Sequence, residues 1–344
     1  MDPLSQGLVG AVLPGSVSGK KEVRLASLVG FLSGMLADLD ILIRSSEDPL
    51  LVLDYHRQFT HSLVFIPLGG LIAAGILRIF LGRRLGFGKL YLYATLGYAT
   101  AGLLDACTNY GTQLLWPFSD ERIAWNIISI IDPVFTLTLA FFAIFAVIRR
   151  SRAASRIGLL FAVLYLAFGL YQRERAEDVL RAVAAERGHA VERALVFPSI
   201  GNLVLWRAVY ESGGKYYMNA VRVGLFSPPK IYEGGQIEKF DPERDLPGLD
   251  PGSVLYRDVR RFKHFSDGYL AVYPGSPNAV GDMRYSLLPN GVKPLWGIAI
   301  DEDNPDNHVT MYDYGRGVTD EKWRAFLAMI RGRELAPSST EEAE

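Results

Sequence analysis

Apolar residues come in long runs before Tyr171 and in short, interrupted runs after it. Four stretches, at about 23–43, 61–81, 90–108 and 127–148, approach the roughly 20 mostly apolar residues that a helix needs to cross a hydrocarbon core about 30 Å thick. A fifth, IGLLFAVLYLAFGLYQ from Ile157, is shorter but carries no charge. The run from Leu4 to Val17 is broken by Pro14 and several glycines and reads as a short span or a re-entrant helix.

Beyond Tyr171 the pattern is that of an aqueous domain. QRERAEDVLRAVAAERG, from Gln172, has helical spacing and a glycine stop. NLVLWRAVYESGGKYYMNAVRVGLF reads as a hairpin about a Ser-Gly-Gly turn, and LWGIAIDEDNPDNHVTMYDY repeats the strand pattern about an Asn-Pro signal. A last helix is predicted from Thr319 to Arg333, and APSSTEEAE at 336–344 reads as a disordered acidic tail. The expected fold class is mainly α: a multi-span membrane domain of about six helices over 1–172, then a smaller α+β extramembrane domain over 173–335.

Lysine and arginine orient the spans, because they collect in short cytoplasmic loops. Lys20, Lys21 and Arg24 form one basic loop, Arg78, Arg83, Arg84 and Lys89 a second, and Arg149, Arg150, Arg152 and Arg156 a third. Placing all three on one side requires the first run to cross. It leaves 44–60, 109–126 and everything after Tyr171 outside. The first residues lack the basic region of a signal peptide, so they read as retained structure.

Composition agrees with two environments: 49% of the 344 residues are hydrophobic and the mean hydropathy is +0.15. A net charge of -1, with no basic stretch interleaved with aromatics, argues against nucleic acid as a partner. Cys107, the only cysteine, excludes an intramolecular disulfide and a cysteine-based zinc cluster.

The predicted threading brings the polar residues of the apolar half to one level, near the outer face. Gln6 lies at the outer end of the first span, Asp38 and Asp40 near that of the second, and His56, Arg57, Thr60, His61 and Ser62 at the start of the third. Asp105 and Thr108 close the fourth, and Asp132 lies just inside the fifth. An ionisable side chain in a span costs roughly 2.5–3.5 kcal/mol and calls for a functional or pairing reason. Asp38, Asp40, Asp105 and Asp132 cannot share a small region ionised without compensation, and Arg57 alone does not supply it. A divalent cation would.

Carboxylate plus imidazole suits zinc, with manganese or iron as alternatives. The metal-ligand candidates are Asp38, Asp40, His56, His61, Asp105 and Asp132, with Gln6 beside them. Arg57 is a natural clamp for anionic oxygens. Thr108, one turn from Asp105, shares its face and would hold a ligand or the substrate. Asp38 and Asp40, two apart, would diverge on a regular helix, so either the helix ends there or only one of them binds. Taken singly, each residue has a plainer role: an interfacial histidine, a helix cap at Asp40 or Asp132, a bridging Gln6, an aromatic belt at Trp116 and Trp125.

DPLSQGLVGA, DLDILI, HRQFTHSL, LLDACTNYGTQLLWPFSD and AWNIISIIDPVFTL, in that order, resemble the motifs of the YdjM/YbcI-type inner-membrane proteins, described as membrane-bound metal-dependent hydrolases. That family is similar, distantly, to zinc-dependent phospholipase C and the S1/P1 nucleases. The resemblance implies a bacterial inner membrane, with the C-terminal domain then periplasmic, and a phosphoester or lipid-type amphiphilic substrate; it supports the six ligand candidates, and adds Gln113 to Gln6, Arg57 and Thr108 as neighbours. Two departures stand out: Ser5-Gln6 where many relatives carry Thr-His, and Ala101 where many carry the histidine of a Thr-His-Pro. Fewer imidazoles imply fewer or weaker metals. The competing classes are an ion- or proton-coupled transporter and a structural or sensor protein stapled by its metal.

Overall fold

The structure is a computed structural model and describes residues 1–82, 84–313 and 317–335. Arg83 of the second basic loop and the acidic tail at 336–344 fall outside the described residues. The chain forms two compact units. One holds Met1–Ile43, Tyr55–Tyr171 and Ile200–Leu203; the other holds Arg44–Asp54, Gln172–Ser199 and the described residues from Val204 onward.

The first unit is helical. Its helices are α1 (Pro3–Val17), α2 (Val23–Gly34), α3 (Leu51–Tyr55, which begins in the other unit), α4 (Ile66–Leu81), α5 (Phe87–Ala106), α6 (Pro133–Arg149) and the start of α7 (Arg152–Glu186). Asp2 caps α1 by accepting from the Ser5 amide at 2.9 Å, and Pro3 occupies the first turn, where no amide proton is needed. Because α1 is buried nearly all round from Ser5 to Val12, it is the central helix of the unit. Small residues let the backbones touch: a Cβ on Gly30 of α2 would overlap the carbonyl of Gly10 on α1. Such contacts replace the hydrophobic drive that lipid-bathed helices lack.

Among the described residues, three segments are long and apolar enough to cross a membrane: Val23–Leu42, Leu63–Leu81 and Arg152–Glu186. Pro133–Arg149 is apolar but shorter. The outer surface is correspondingly greasy, with Ile79 79% and Phe80 75% exposed.

Three sequence expectations change in detail. The stretch expected at 127–148 is helical only from Pro133, because Asp132 caps there and 127–132 runs without helix. The segments expected separately at 157–172 and 172–188 form one helix of 35 residues, since no proline interrupts the run from Arg152 to Glu186. The segment 23–43 is α-helical only to Gly34 and continues as a tighter 3₁₀ helix from Leu36 to Leu42.

The second unit contains two four-stranded antiparallel sheets in sequential order. The first comprises β1 (Arg193–Pro198), β2 (Leu205–Ser212), β3 (Lys215–Arg222) and β4 (Lys230–Glu238); the second comprises β5 (Leu270–Tyr273), β6 (Ser276–Asp282), β7 (Trp296–Ala299) and β8 (Thr310–Asp313). Gly213 and Gly214, at φ 58° and 73°, form the expected two-residue turn between β2 and β3. The second expected hairpin is β7 with β8. Helices α8 (Pro242–Asp245), α9 (Val254–Phe265) and α10 (Asp320–Arg331) complete the unit, with Thr319 capping α10. Leu205, Ala220 and Tyr232 of the first sheet pack on Phe326 and Met329 of α10.

Candidate metal centre

The site begins where α2 stops. In the 3₁₀ turn after Gly34, Asp38 and Asp40 no longer diverge as they would on an α-helix, and both carboxylates reach the imidazole of His61. The choice posed by the sequence is thereby resolved: the helix ends, and both aspartates contribute, in different ways.

His61 Nε2 faces Asp38 Oδ1 at 3.2 Å and Asp105 Oδ2 at 3.1 Å. These three ligand atoms lie within 4.8 Å of one another. Ligands at the ordinary zinc distances of about 2.0–2.2 Å sit roughly 3.4 Å apart around a tetrahedral ion, so the spacing suits one. One buried oxygen, Gln6 Oε1, has no hydrogen-bond partner, whereas Asp105 Oδ2 is met by His61 Nε2 and by the Arg57 guanidinium. Gln6 Nε2 donates to Asp38 Oδ1 at 3.3 Å, which places the side chain at the edge of the same cluster. Orphaned buried oxygens are costly unless something electropositive meets them. The donor set and the unpartnered Gln6 oxygen fit a divalent cation held by Asp38, His61 and Asp105, with Gln6 adjoining.

The other ligand candidates fall differently. Asp40 is a hub that faces four groups: its Oδ1 lies 2.7 Å from His56 Nδ1, and its Oδ2 accepts from the Arg57 amide at 2.9 Å and Thr60 Oγ1 at 2.6 Å. That same Oδ2 lies 3.2 Å from His61 Nδ1, on the far side of the ring from Nε2. Asp40 thus orients His61, the usual job of a carboxylate behind a metal-binding histidine. His56 meets Asp40 and stands edge-on to the His61 ring, with centroids 6.2 Å apart. Asp132 stands apart from the group. Its Oδ1 accepts from the Phe135 amide, which caps α6, and its Oδ2 from the hydroxyl of Tyr165 on α7, so both oxygens are engaged.

Arg57 is 4% exposed. Its Nε lies 3.1 Å from Asp105 Oδ2, its Nη1 donates to Thr108 Oγ1 at 3.0 Å, and its guanidinium carbon sits 4.8 Å from the centre of the Tyr110 ring. Thr108 therefore holds Arg57, and Arg57 holds Asp105. The Arg57 backbone adopts φ 61°, uncommon outside glycine and of a kind that concentrates at functional sites. It is secured on both sides, with its amide on Asp40 and its carbonyl accepting from the Gln113 amide at 2.9 Å. The contact with Gln113 is backbone to backbone, and the Gln113 side chain keeps a buried, unpartnered Oε1 of its own. Asp105 Oδ1 also pairs with the α-amino group of Met1.

Two contributors carried no clear sequence signal. Tyr98 donates its hydroxyl to the Thr60 carbonyl at 2.6 Å. Gly102 lets α5 pass against the backbone at His61, because a Cβ there would overlap the His61 carbonyl. Both sit on the buried face of α5 above Asp105, and that spacing is the only trace they leave in the sequence.

The model of the YdjM inner membrane protein family matches residues 1–176. This chain belongs to the YdjM family. The matched region contains every residue of the cluster. Among YdjM-like relatives, the inner membrane protein YbcI of Escherichia coli (strain K12) is 34% identical over 108 residues, covering 29% of this chain and 60% of the relative. The uncharacterized protein YfhP of Bacillus subtilis (strain 168) is 31% identical over 121 residues, covering 35% of this chain and 36% of the relative. The chain thus spans less than two thirds of the length of either. No solved structure matches. Family membership and the apolar helices together support an inner-membrane location.

Proposed function

We propose that this protein is a membrane-bound metal-dependent hydrolase acting on a phosphoester or lipid-type amphiphilic substrate at the outer face of the inner membrane. The observation that carries the reading is the convergence of Asp38, His61 and Asp105, with ligand atoms within 4.8 Å of one another, beside the buried, unpartnered Oε1 of Gln6. Zinc suits this donor set best, with manganese or iron as the alternatives. When bound, such an ion would supply Lewis acidity toward water and toward a phosphoryl oxygen.

The chain's own residues have separable tasks. Asp38, His61 and Asp105 would hold the ion, with Gln6 beside them. Asp40 fixes the ring of His61 so that Nε2 faces Asp38 and Asp105, where it would be a ligand, and His56 and Thr60 hold Asp40 in turn. Arg57, set by Thr108 and by the backbone of Gln113, offsets the charge of Asp105 and would steady an anionic oxygen of the substrate.

The accompanying topology has six crossings: α1, Val23–Leu42, Leu63–Leu81, α5, α6 and the first part of α7. Residues 1–172 would form the membrane domain and 173–335 a periplasmic one. The basic loops support a shared cytoplasmic side, since Lys21, Arg24, Arg84 and Arg150 border one groove.

The test is elemental analysis of the full-length protein in detergent, followed by a phosphodiester and phospholipid hydrolysis screen with and without chelator. The expected result is a bound transition metal and a chelator-sensitive activity, with His61→Ala folded but devoid of both. Protein without any tightly bound metal refutes the reading. A His61→Ala variant that loses the fold along with the metal points instead to a structural staple.

A further inference from the structure

At the end of the first unit that carries the basic loops, a groove of about 690 Å³ opens between α1, α2 and α6. It lies within the range of about 300–1,000 Å³ typical of small-molecule sites. Leu25, Leu28 and Phe31 of α2 line one wall and Ile144, Val147 and Ile148 of α6 the other. Ile144 and Ile148 are 57% and 61% exposed, so this wall lies open on the outer surface. From Arg24 to Phe31 the groove follows seven residues of helix, about 10 Å, or two thirds of one leaflet of a core about 30 Å thick.

Its rim is cationic. Lys21, Arg24, Arg84 and Arg150 border it, drawn from all three basic loops, and no carboxylate is among its described lining residues. The nearest acid in sequence, Glu22, is engaged elsewhere: its carboxylate takes the Tyr93 hydroxyl at 2.8 Å and the Lys89 ammonium. Arg24 is anchored by donating to the Val147 carbonyl at 2.8 Å and the Ile148 carbonyl at 3.0 Å, which fixes a guanidinium at the mouth.

We infer that this groove binds one anionic phospholipid of the cytoplasmic leaflet, its phosphate headgroup at the Lys21, Arg24, Arg84 and Arg150 rim and an acyl chain between α2 and α6. Charge complementarity selects the occupant. A second copy of the chain would bring the same positive rim and be repelled, whereas a lipid supplies both the anion and the hydrocarbon that the two parts of the groove require. The inference does not depend on the metal centre, whose residues are not among the groove's lining.

The test is lipid titration of the full-length protein in neutral detergent by native mass spectrometry, comparing phosphatidylglycerol with phosphatidylcholine of the same acyl chains. Wild type should retain one phosphatidylglycerol per chain in clear preference to phosphatidylcholine. The triple variant Lys21→Gln, Arg84→Gln, Arg150→Gln leaves the Arg24 anchor intact. It should lose that preference by on the order of 100-fold, from about fivefold for each cation near an anionic headgroup. Equal binding of the two lipids by wild type, or an undiminished preference in the triple variant, overturns the proposal. Should the triple variant not fold, ionic strength decides on wild type alone: the preference should weaken as salt rises, and a preference indifferent to salt overturns it. Metal content measured on the same samples keeps this result separate from the hydrolase reading.

Discussion

Asp40→Asn separates an orienting carboxylate from a direct ligand. In the structure Asp40 Oδ2 accepts from the Arg57 amide and from Thr60 Oγ1, so the oxygen of an asparagine amide must stay on that side. Its nitrogen then turns toward His56 Nδ1, which can accept in its other tautomer. The local fold should survive. What is lost is the negative charge 3.2 Å from His61 Nδ1, which turns a charge-assisted contact into a neutral one about half as strong. Outer carboxylates of this kind are worth about 10–100-fold in metal affinity, or about 1.4–2.7 kcal/mol. The assay is competition with a chromophoric zinc chelator, with helix content monitored by circular dichroism and His61→Ala as the reference for loss of a ligand. Affinity unchanged in Asp40→Asn would refute the orienting role. A loss as complete as that of His61→Ala would restore Asp40 to the ligand set.

Asp132→Ala should lower thermal stability by about 2–3 kcal/mol, from a lost helix cap and an orphaned Tyr165 hydroxyl, while metal affinity stays at the wild-type value; a parallel loss of metal would contradict the capping role. Gly30→Ala forces a Cβ onto the Gly10 carbonyl and should cost about 1–3 kcal/mol, read as a lower unfolding midpoint in detergent. In the second unit, Arg261 donates to Asp48, Asp54 and Asp258. Burial pushes the Asp48 carboxyl up, but the Arg261 hydrogen bonds and charge outweigh it and hold it below its ordinary value of 3.8. A carboxyl depressed on folding stabilises above its unfolded value, and that contribution is lost as pH falls through the folded one. Residues 44–54 should therefore lose hydrogen-exchange protection on acidification, and Arg261→Met should lose it at a higher pH than wild type.

Much of the fold was legible in local pattern. Hydropathy marked the apolar segments, Gly213 and Gly214 marked a tight hairpin, and Thr319 marked the start of a helix, because each of these signals acts within a few residues. Two boundaries were misplaced for the same reason. Asp132-Pro133 is a cap followed by a first-turn proline, and it starts α6 later than hydropathy alone suggests. At Gln172 a change from apolar to charged side chains looked like a break, yet the backbone reads only propensity, and α7 runs on.

The composition of the site was set by the sequence, and its division of labour by the tertiary structure. Residue types and membrane level were enough to gather Gln6, Asp38, Asp40, His56, Arg57, His61, Asp105 and Thr108 as one group, since a charged side chain near hydrocarbon must find a partner. Periodicity could not say which carboxylate meets Nε2 of His61 and which meets Nδ1. That depends on a 3₁₀ turn at 36–42, on a left-handed Arg57 held between Asp40 and Gln113, and on Gly102 admitting the His61 backbone against α5. The same holds for Asp132, whose identity suggested a ligand and whose position makes it a cap. Ligation is a matter of tenths of an ångström between residues far apart in the chain, and only packing determines such distances.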